Sequence, residues 1–167
     1  MPNLAKEMRE QLIELLPRLR RFARTLTRHG ADADDILQMA LEKALQRHTQ
    51  WDPSSRLDSW MFSIIRNGWI DELRARQRRG NSVDIEDVDA SFARDENSAQ
   101  IALMSVQQAM AHLPEDQRTA VSLVLVEGLS YKEAAAVMNV PMGTLTSRLA
   151  RGRETLQKLL HTDEALP

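Results

Sequence analysis

The residues of this chain with the clearest chemical purpose lie between residues 139 and 153, in the stretch NVPMGTLTSRLARGR. Hydroxyl and cationic side chains follow its proline and glycine, at Thr144, Ser147, Arg148 and Arg151. Leu145, Leu149, Leu156 and Leu159/Leu160 recur at helical spacing, which predicts a buried face and leaves these four side chains on the outer face. Hydroxyls near a helix start bind phosphate, and arginine binds guanine through two hydrogen bonds. The pattern predicts a DNA-reading helix, although for any single arginine a solvated helix end is the better explanation.

A tight turn and a short helix precede this stretch. Ser130 stands three residues before Glu133, which is the spacing of a capping box at a helix start. Asn139 suits the left-handed conformation that ends a helix, and Pro141 suits the start of the next one. Two short helices joined in this way predict a helix-turn-helix, whose second helix enters the major groove.

A second binding surface is predicted on the helix from Leu57 to about Arg79. An apolar arc predicts its core face: Met61, Phe62, Ile65, Trp69 and Leu73. Another side of the same helix carries Trp60, Ser63, Asn67, Asp71 and Arg74. An aromatic ring beside an amide and cations suits unstacked single-stranded bases, while a core position for Trp60 is an equal alternative. The basic run Arg74, Arg76, Arg78 and Arg79 suits duplex phosphates or forms a solvated helix end.

These surfaces need helices to position them, and the composition favours an all-α fold. Of 167 residues, 43% are hydrophobic and 28% charged, with few glycines or prolines. Periodic apolar residues predict helices near 5–29, 31–48, 57–79, 99–112, 115–127, 130–138 and 142–160. The stretch 81–98 has no sustained apolar period and reads as a linker between small domains at 1–80 and 99–162. Residues 81–100 hold one arginine against six acids, so the overall charge of −2 conceals a basic first part.

Catalytic and metal chemistry find no support in the sequence. The absence of cysteine excludes disulfides and thiolate sites, and the four histidines, His29, His48, His112 and His161, are dispersed. We find no nucleophile–base pair and no phosphate-binding glycine loop, so we predict neither an enzyme nor a cofactor. No apolar run is long enough to cross a membrane and the N-terminus lacks a signal core, which predicts a cytoplasmic protein.

The second half resembles region 4 of the extracytoplasmic-function (ECF) sigma factors of the sigma-70 family. LPEDQRTAVSLVLVEGLSYKEAAAVMNVPMGTLTSRLARGRETL matches the pattern LP-x-x-x-R … EGLSY-x-E-I-A … G-V-P-x-G-T-V-x-S-R-L-x-R-A-R. The resemblance implies that residues 142–153 read a −35 promoter element, with these side chains at the DNA: Thr144, Thr146, Ser147, Arg148, Ala150, Arg151 and Arg153. Ala135, Asn139 and Thr146 depart from the pattern, and the last departure implies a different −35 preference.

The first half resembles region 2 of the same family. RLDSWMFSIIRNGWIDELRARQRR is similar to F-R-x-W-L-x-x-I-A-R-N-x-x-I-D-x-x-R-x-x-x-R of regions 2.3 and 2.4, which implies that residues 47–79 open the −10 element. The implied DNA contacts are Trp60, Ser63, Asn67, Arg74, Arg76 and Arg78. RHTQWDPSSRLD corresponds to the loop that captures a flipped −10 base, where Trp51 lines the pocket or anchors the loop.

In DADDILQMALEKAL the helix dipole explains Asp32 and Asp34 at a helix N-terminus. Asp35, Gln38 and Glu42 fall at i, i+3 and i+7 and form an acidic stripe opposite the apolar residues of the same helix. The segment resembles region 2.2, which implies that the stripe docks on the polymerase β′ coiled coil.

Together the resemblances imply an alternative sigma factor with two helical domains, similar in part to the general-stress subgroup. Its implied partners are core RNA polymerase, through the β′ coiled coil and the β flap, promoter DNA and an anti-sigma factor. Two alternatives stay open at this point. One is a stand-alone helix-turn-helix regulator that binds as a dimer, and the other is a sigma-like mimic that sequesters an anti-sigma factor.

Overall fold

The structure is a computed structural model that describes residues 3–80 and 98–164. All regular elements within these two ranges are helical, which confirms the predicted all-α class. In chain order they are α1 Leu4–Thr27, α2 Gly30–Gln46, α3 Leu57–Arg78, α4 Ser98–His112, α5 Glu115–Val121, α6 Tyr131–Met138 and α7 Met142–Glu164. Short turns occur at His48–Gln50 (3₁₀) and Ser122–Val126 (π). The chain divides into two compact units, residues 1–85 and 86–167, and each is described by itself.

The first unit packs α1, α2 and α3 around one apolar core. Its centre is an edge-to-face contact between Phe22 and Phe62, whose ring centroids lie 4.8 Å apart. The other large buried side chains of this core are Met8, Leu19, Leu26, Met61 and Ile65. Trp69 is buried as predicted, whereas Leu73, one turn further along α3, is only half-buried. The apolar arc of α3 thus faces the core along most of its predicted length.

The second unit packs α5 and α6 against the first half of α7. Arg118 is buried and its Nη1 donates a hydrogen bond to the carbonyl oxygen of Leu113 at 2.9 Å, which ties α5 to the end of α4. The predicted helix 115–127 is α-helical only to Val121. It continues as a π turn, because the Glu127 N–H bonds the Ser122 carbonyl oxygen, five residues back, at 2.9 Å.

The caps around α6 form as the sequence predicts. The Ser130 hydroxyl accepts from the Glu133 N–H at 3.1 Å, and the Glu133 carboxylate accepts from the Ser130 N–H at 2.8 Å. Asn139 ends the helix in the left-handed conformation, with φ 53°. Thr144 and Leu145 then donate their N–H groups to the Pro141 carbonyl oxygen, which opens α7. The turn between the two helices is therefore set by local chemistry.

The buried side of α7 is shorter than the leucine pattern predicts. Leu145 and Leu149 are buried, whereas Leu156, Leu159 and Leu160 are half-buried. A helix of 23 residues is roughly 35 Å long. It extends past the seven-residue α5 and the eight-residue α6 against which its first half packs. The C-terminal leucines consequently have less surface to pack on.

Candidate nucleic-acid interface

The start of α7 presents the first candidate DNA-binding face. Leu145 and Leu149 anchor one side of the helix in the core. The opposite side exposes Thr146, Ser147, Ala150, Arg151 and Arg153, while Thr144 and Arg148 are half-buried at its margin. The turn after α6 fixes the direction in which the helix leaves the core. This face has the hydroxyls and guanidinium groups that bind phosphates and base edges.

Contacts within the protein already engage some of these predicted side chains. The Thr146 hydroxyl donates to the carbonyl oxygen of Met142, one turn back, at 2.8 Å. Nη2 of Arg148 lies 3.4 Å from Oδ2 of Asp116 at the start of α5. The approach of Asp116 to Arg148 is a tertiary contact that sequence reasoning missed. Ser147 and Arg151 are more exposed than Arg148.

The polar side of α3 forms a second candidate face. Asn67, Arg74 and Arg78 are exposed, and Ser63 is half-buried with its hydroxyl bonded to the Ser59 carbonyl oxygen at 3.1 Å. Trp60 is half-buried and therefore does not occupy the core position that was one of its two alternatives. An accessible indole beside an exposed amide and cations is the arrangement that single-stranded bases require.

Arg76 differs from the other arginines of the predicted basic run. Its Nη2 and Nη1 atoms donate to Oδ1 and Oδ2 of Asp32 at 2.6 and 3.2 Å, and its Nε donates to Oε1 of Glu72 at 3.1 Å. Its guanidinium group also lies over the Trp69 ring, 5.2 Å from the centroid. The hydrogen bond to Asp32 is the main cause that raises the pKa of Arg76. Arg76 thus ties α3 to α2, and Asp32, which the sequence explained by the helix dipole, is its partner.

The outer side of α2 carries the acidic stripe that the sequence predicts. Asp35, Gln38 and Glu42 are exposed, and Nε2 of Gln38 lies 3.4 Å from Oε1 of Glu42. Buried apolar residues occupy the opposite side: Ile36, Leu37, Ala40 and Ala44. A cavity of about 360 Å³ lies beside the stripe, between α2 and α3, and Lys43 and Asp71 are among the residues that line it. The stripe is a charged surface suited to a basic partner.

The loop between the His48–Gln50 turn and α3 is folded by its own side chains. Trp51 is only 5% exposed, in agreement with the anchoring alternative rather than an open pocket wall. Oδ1 of Asp52 accepts from the Ser54 N–H at 2.9 Å and from the Ser54 hydroxyl at 2.7 Å. The backbone hydrogen bond from Ser54 is the main cause that lowers the pKa of Asp52. The loop therefore has a defined turn.

Sequence reasoning missed the ion-pair network at the end of this loop. Asp58 is buried and accepts hydrogen bonds from the guanidinium groups of Arg18 and Arg56. The only sequence signal was an acid in the first turn of a helix, two residues after an arginine. Arg18, forty residues away, could not be assigned to it without the fold.

The described parts of the chain hold neither a metal-binding cluster nor a membrane-spanning helix. Residues 3–80 and 98–164 contain no group of three His, Cys, Asp or Glu side chains that could hold a metal ion. Within the same ranges no helix combines the length and the apolar character needed to cross a membrane. The acidic stretch 81–97, most of the predicted linker, lies outside the described residues.

Known protein families match both units of the chain. A family model described as Sigma-70 region 2 matches residues 12–79, and one described as Sigma-70, region 4 matches residues 103–156. The chain is 35% identical over 167 residues to the ECF RNA polymerase sigma factor EcfG of Rhodopseudomonas palustris, covering 97% of this chain and 90% of that protein. It is 36% identical over 141 residues to the RNA polymerase sigma-H factor of Pseudomonas aeruginosa, covering 77% and 73%.

Solved structures give the same result. The sigma factor RpoE of Bartonella quintana, crystallised with the anti-sigma factor NepR, is similar with a TM-score of 0.79 and 32% sequence identity. The match covers 95% of this chain and 99% of that one. CnrH, solved with the cytosolic domain of CnrY, shares the fold with a TM-score of 0.69 at 23% identity.

Proposed function

This chain belongs to the ECF sigma factors of the sigma-70 family, and we propose that it binds core RNA polymerase and directs promoter-specific transcription initiation. The observation that carries the proposal is the presence of two exposed binding faces, on α3 and α7, in the units that the region 2 and region 4 models match. Such a protein is an initiation factor that supplies promoter recognition, while the polymerase supplies the chemistry.

The face of α7 reads the −35 duplex in this proposal. Ser147, Ala150 and Arg151 are assigned to base edges because they lie on the exposed side of the helix, near its N-terminal end. Thr144, Arg148 and Arg153 are assigned to the phosphate backbone. Thr146 already bonds the Met142 carbonyl oxygen through its hydroxyl, so its methyl group is the part available to a base, and thymine methyl groups accept such contacts.

The face of α3 opens and holds the −10 element. Trp60 is assigned to stacking on an unpaired base, and Ser63 and Asn67 to its polar edges. Arg74 and Arg78 are exposed and are assigned to phosphates. Arg76 contributes indirectly, because its ion pair with Asp32 fixes the C-terminal part of α3 on α2.

The acidic stripe of α2 is assigned to core polymerase. Asp35, Gln38 and Glu42 are exposed on one side of the helix, and the resemblance to region 2.2 supports their docking on the β′ coiled coil. Contact of the second unit with the β flap follows from the resemblance to region 4. The complex of the Bartonella relative with NepR supports an anti-sigma factor as a further partner. Because core polymerase is the proposed partner, we infer that the protein acts in the cytoplasm, and the general-stress subgroup stays a prediction.

The two alternative functions account for less of the chain. A stand-alone helix-turn-helix regulator uses only the second unit and leaves the region 2 match over residues 12–79 without a role. A sigma-like mimic has no need for exposed arginines on both α3 and α7, where the sequence and structure retain them. The initiation factor is therefore the better-supported function.

In vitro transcription with purified core polymerase and a random promoter library tests the proposal. We expect specific initiation, with Arg151→Ala altering the −35 motif and Asn67→Ala altering the −10 motif among sequenced transcripts. Lys158→Ala is the matched control on α7, because Lys158 is exposed and pairs with Glu154 on the same helix at 3.1 Å, away from the helix start. A folded, inhibitor-free protein that supports no initiation would refute the function.

A further inference from the structure

Asp58 is a buried carboxylate at the junction of the 51–56 loop and α3. Its side chain is 7% exposed. Oδ2 accepts from Nη1 of Arg18 at 3.0 Å and from Nη2 of Arg56 at 2.6 Å. Oδ1 accepts from Nε of Arg56 at 3.0 Å and from the Ser59 N–H at 2.8 Å. One carboxylate thus connects α1, the end of the loop and the first turn of α3.

The Arg18 contact places the loop relative to α1. The guanidinium group of Arg18 also lies over the Phe62 ring, 5.6 Å from its centroid, so this arginine is held against the core of the first unit. The internal turn of the loop depends instead on Asp52 and Ser54. The shape of the loop and its placement are therefore controlled by different carboxylates.

A surface cavity of about 260 Å³ lies between the two parts that Asp58 connects. Gln11, Glu14 and Leu15 of α1 form one wall, and the other consists of residues 55–58. Arg18 lies on α1 three residues after Leu15 and pairs with Asp58 of the opposite wall, so the pair joins the two elements that form the cavity. Loss of the pair is therefore expected to let the loop move away from α1 and to change the width of the cavity.

The donors around Asp58 stabilise its charged form. Burial raises the pKa of Asp58, but the hydrogen bonds from Arg56, Ser59 and Arg18 outweigh burial and hold the pKa below its ordinary value. A buried carboxylate has a low free energy only while its donors stay in place.

We propose that Asp58 is a positioning residue that sets which unpaired base the 51–56 loop accepts, by fixing the loop against α1 through Arg18. The inference rests on the proposed function, because it assumes that this loop contacts an unpaired promoter base. Asp58 itself is buried and acts through the placement of the loop. Base selection at one position of the −10 element is consequently the property that it controls.

The test uses holoenzyme reconstituted from core polymerase and the full chain, with a library randomised only in the −10 element. Asp58→Asn keeps the shape of the side chain and removes the charge that holds both arginines. Arg18→Gln removes the connection to α1 from the opposite wall and leaves the loop sequence intact. Asp34→Asn is the matched control, because it makes the same chemical change at an exposed position of the same unit. Thermal unfolding and core polymerase binding are measured for each variant.

Both Asp58→Asn and Arg18→Gln are expected to reduce base preference at the same −10 position by roughly tenfold, since small misplacements of a binding group cost this much or more. Preference at the −35 element and core binding should match the wild type, as should every property of Asp34→Asn. A uniform loss of transcripts without a change in base preference would overturn the proposal. So would a change at different positions in the two variants. Failure of the wild-type protein to initiate would instead refute the proposed function.

Discussion

Gly152 lies where the DNA-reading helix α7 crosses α5, and a methyl group at this position is expected to destabilise the second unit. A Cβ atom there would lie 2.6 Å from Cγ2 of Val121 and 3.3 Å from the carbonyl oxygen of Gln117. The valine side chain is stiff and the carbonyl belongs to the backbone of α5. Neither atom can move aside by a simple change of rotamer, so the two helices must separate.

The expected magnitude of Gly152→Ala is the difference between two opposing effects. Replacing glycine by alanine inside a helix stabilises it by about 1 kcal/mol. Overpacking a close helix contact costs about 1–3 kcal/mol, and the short Cβ distance places this site towards the upper end. We therefore expect a net loss of about 1–2 kcal/mol in the free energy of unfolding of the second unit. With a urea m-value of about 2 kcal/mol/M, the midpoint falls by roughly 0.5–1 M.

The distribution of tryptophan makes the assay specific for each unit. All three tryptophans, Trp51, Trp60 and Trp69, belong to the first unit. Urea unfolding followed by tryptophan fluorescence therefore reports the first unit, whereas far-ultraviolet circular dichroism reports both. Gly152→Ala should shift only the transition seen by circular dichroism and leave the fluorescence midpoint unchanged.

Gly68→Ala provides the matched control in the first unit. A Cβ atom at Gly68 would meet Cε of Met39, the end of a flexible and half-exposed side chain that can turn away. Because this side chain can move, overpacking does not offset the helix-propensity gain of alanine, and the free energy of unfolding of the first unit should stay unchanged or rise by up to about 1 kcal/mol. An unchanged or more stable second unit in Gly152→Ala would refute the close-packing argument, as would an equal loss in both variants.

Three further predictions concern single side chains. Ser130→Ala removes the capping box of α6 and should lower the free energy of unfolding of the second unit by about 1 kcal/mol in the same circular dichroism assay. No loss would show that the cap does not stabilise the unit. Arg151→Ala should weaken −35 duplex binding by about 1–3 kcal/mol and relax sequence preference, measured in salt titrations, whereas a loss equal on all sequences would assign it to phosphate instead. Burial raises the pKa of Asp58, but its hydrogen bonds outweigh burial and hold the pKa below the ordinary value of an aspartate. Its ion pairs therefore stabilise the fold at neutral pH and are lost as the pH falls through that lowered pKa. In Asp58→Asn the melting temperature should therefore fall less steeply as the pH is lowered into the acid range. The same steepness as in the wild type would show that the ion pairs of Asp58 do not stabilise the fold.

Local chemistry in the sequence was sufficient for most helices and most exposed positions, but not for the π turn after Val121 or the half-burial of Thr144 and Arg148. Helix bounds, the Ser130–Glu133 capping box and the left-handed Asn139 depend on residues within a few positions of one another. The exposed stripe at Asp35, Gln38 and Glu42 follows from helical periodicity alone. The sequence thus determined which side chains each helix offers to a partner, and the family resemblance determined what those partners are.

The tertiary structure decided which of the charged residues act inside the protein. Arg76 pairs with Asp32 across 44 residues and Arg18 with Asp58 across 40, and neither pair has a periodic signature in the sequence. The sequence also left open whether Trp60 lies in the core. The packing of α1 and α2 against α3 decides that it is half-buried. Ion pairing and burial depend on which elements meet in space, and the packing of the whole core fixes that. Only the folded chain therefore separates the exposed arginines from those that tie helices together.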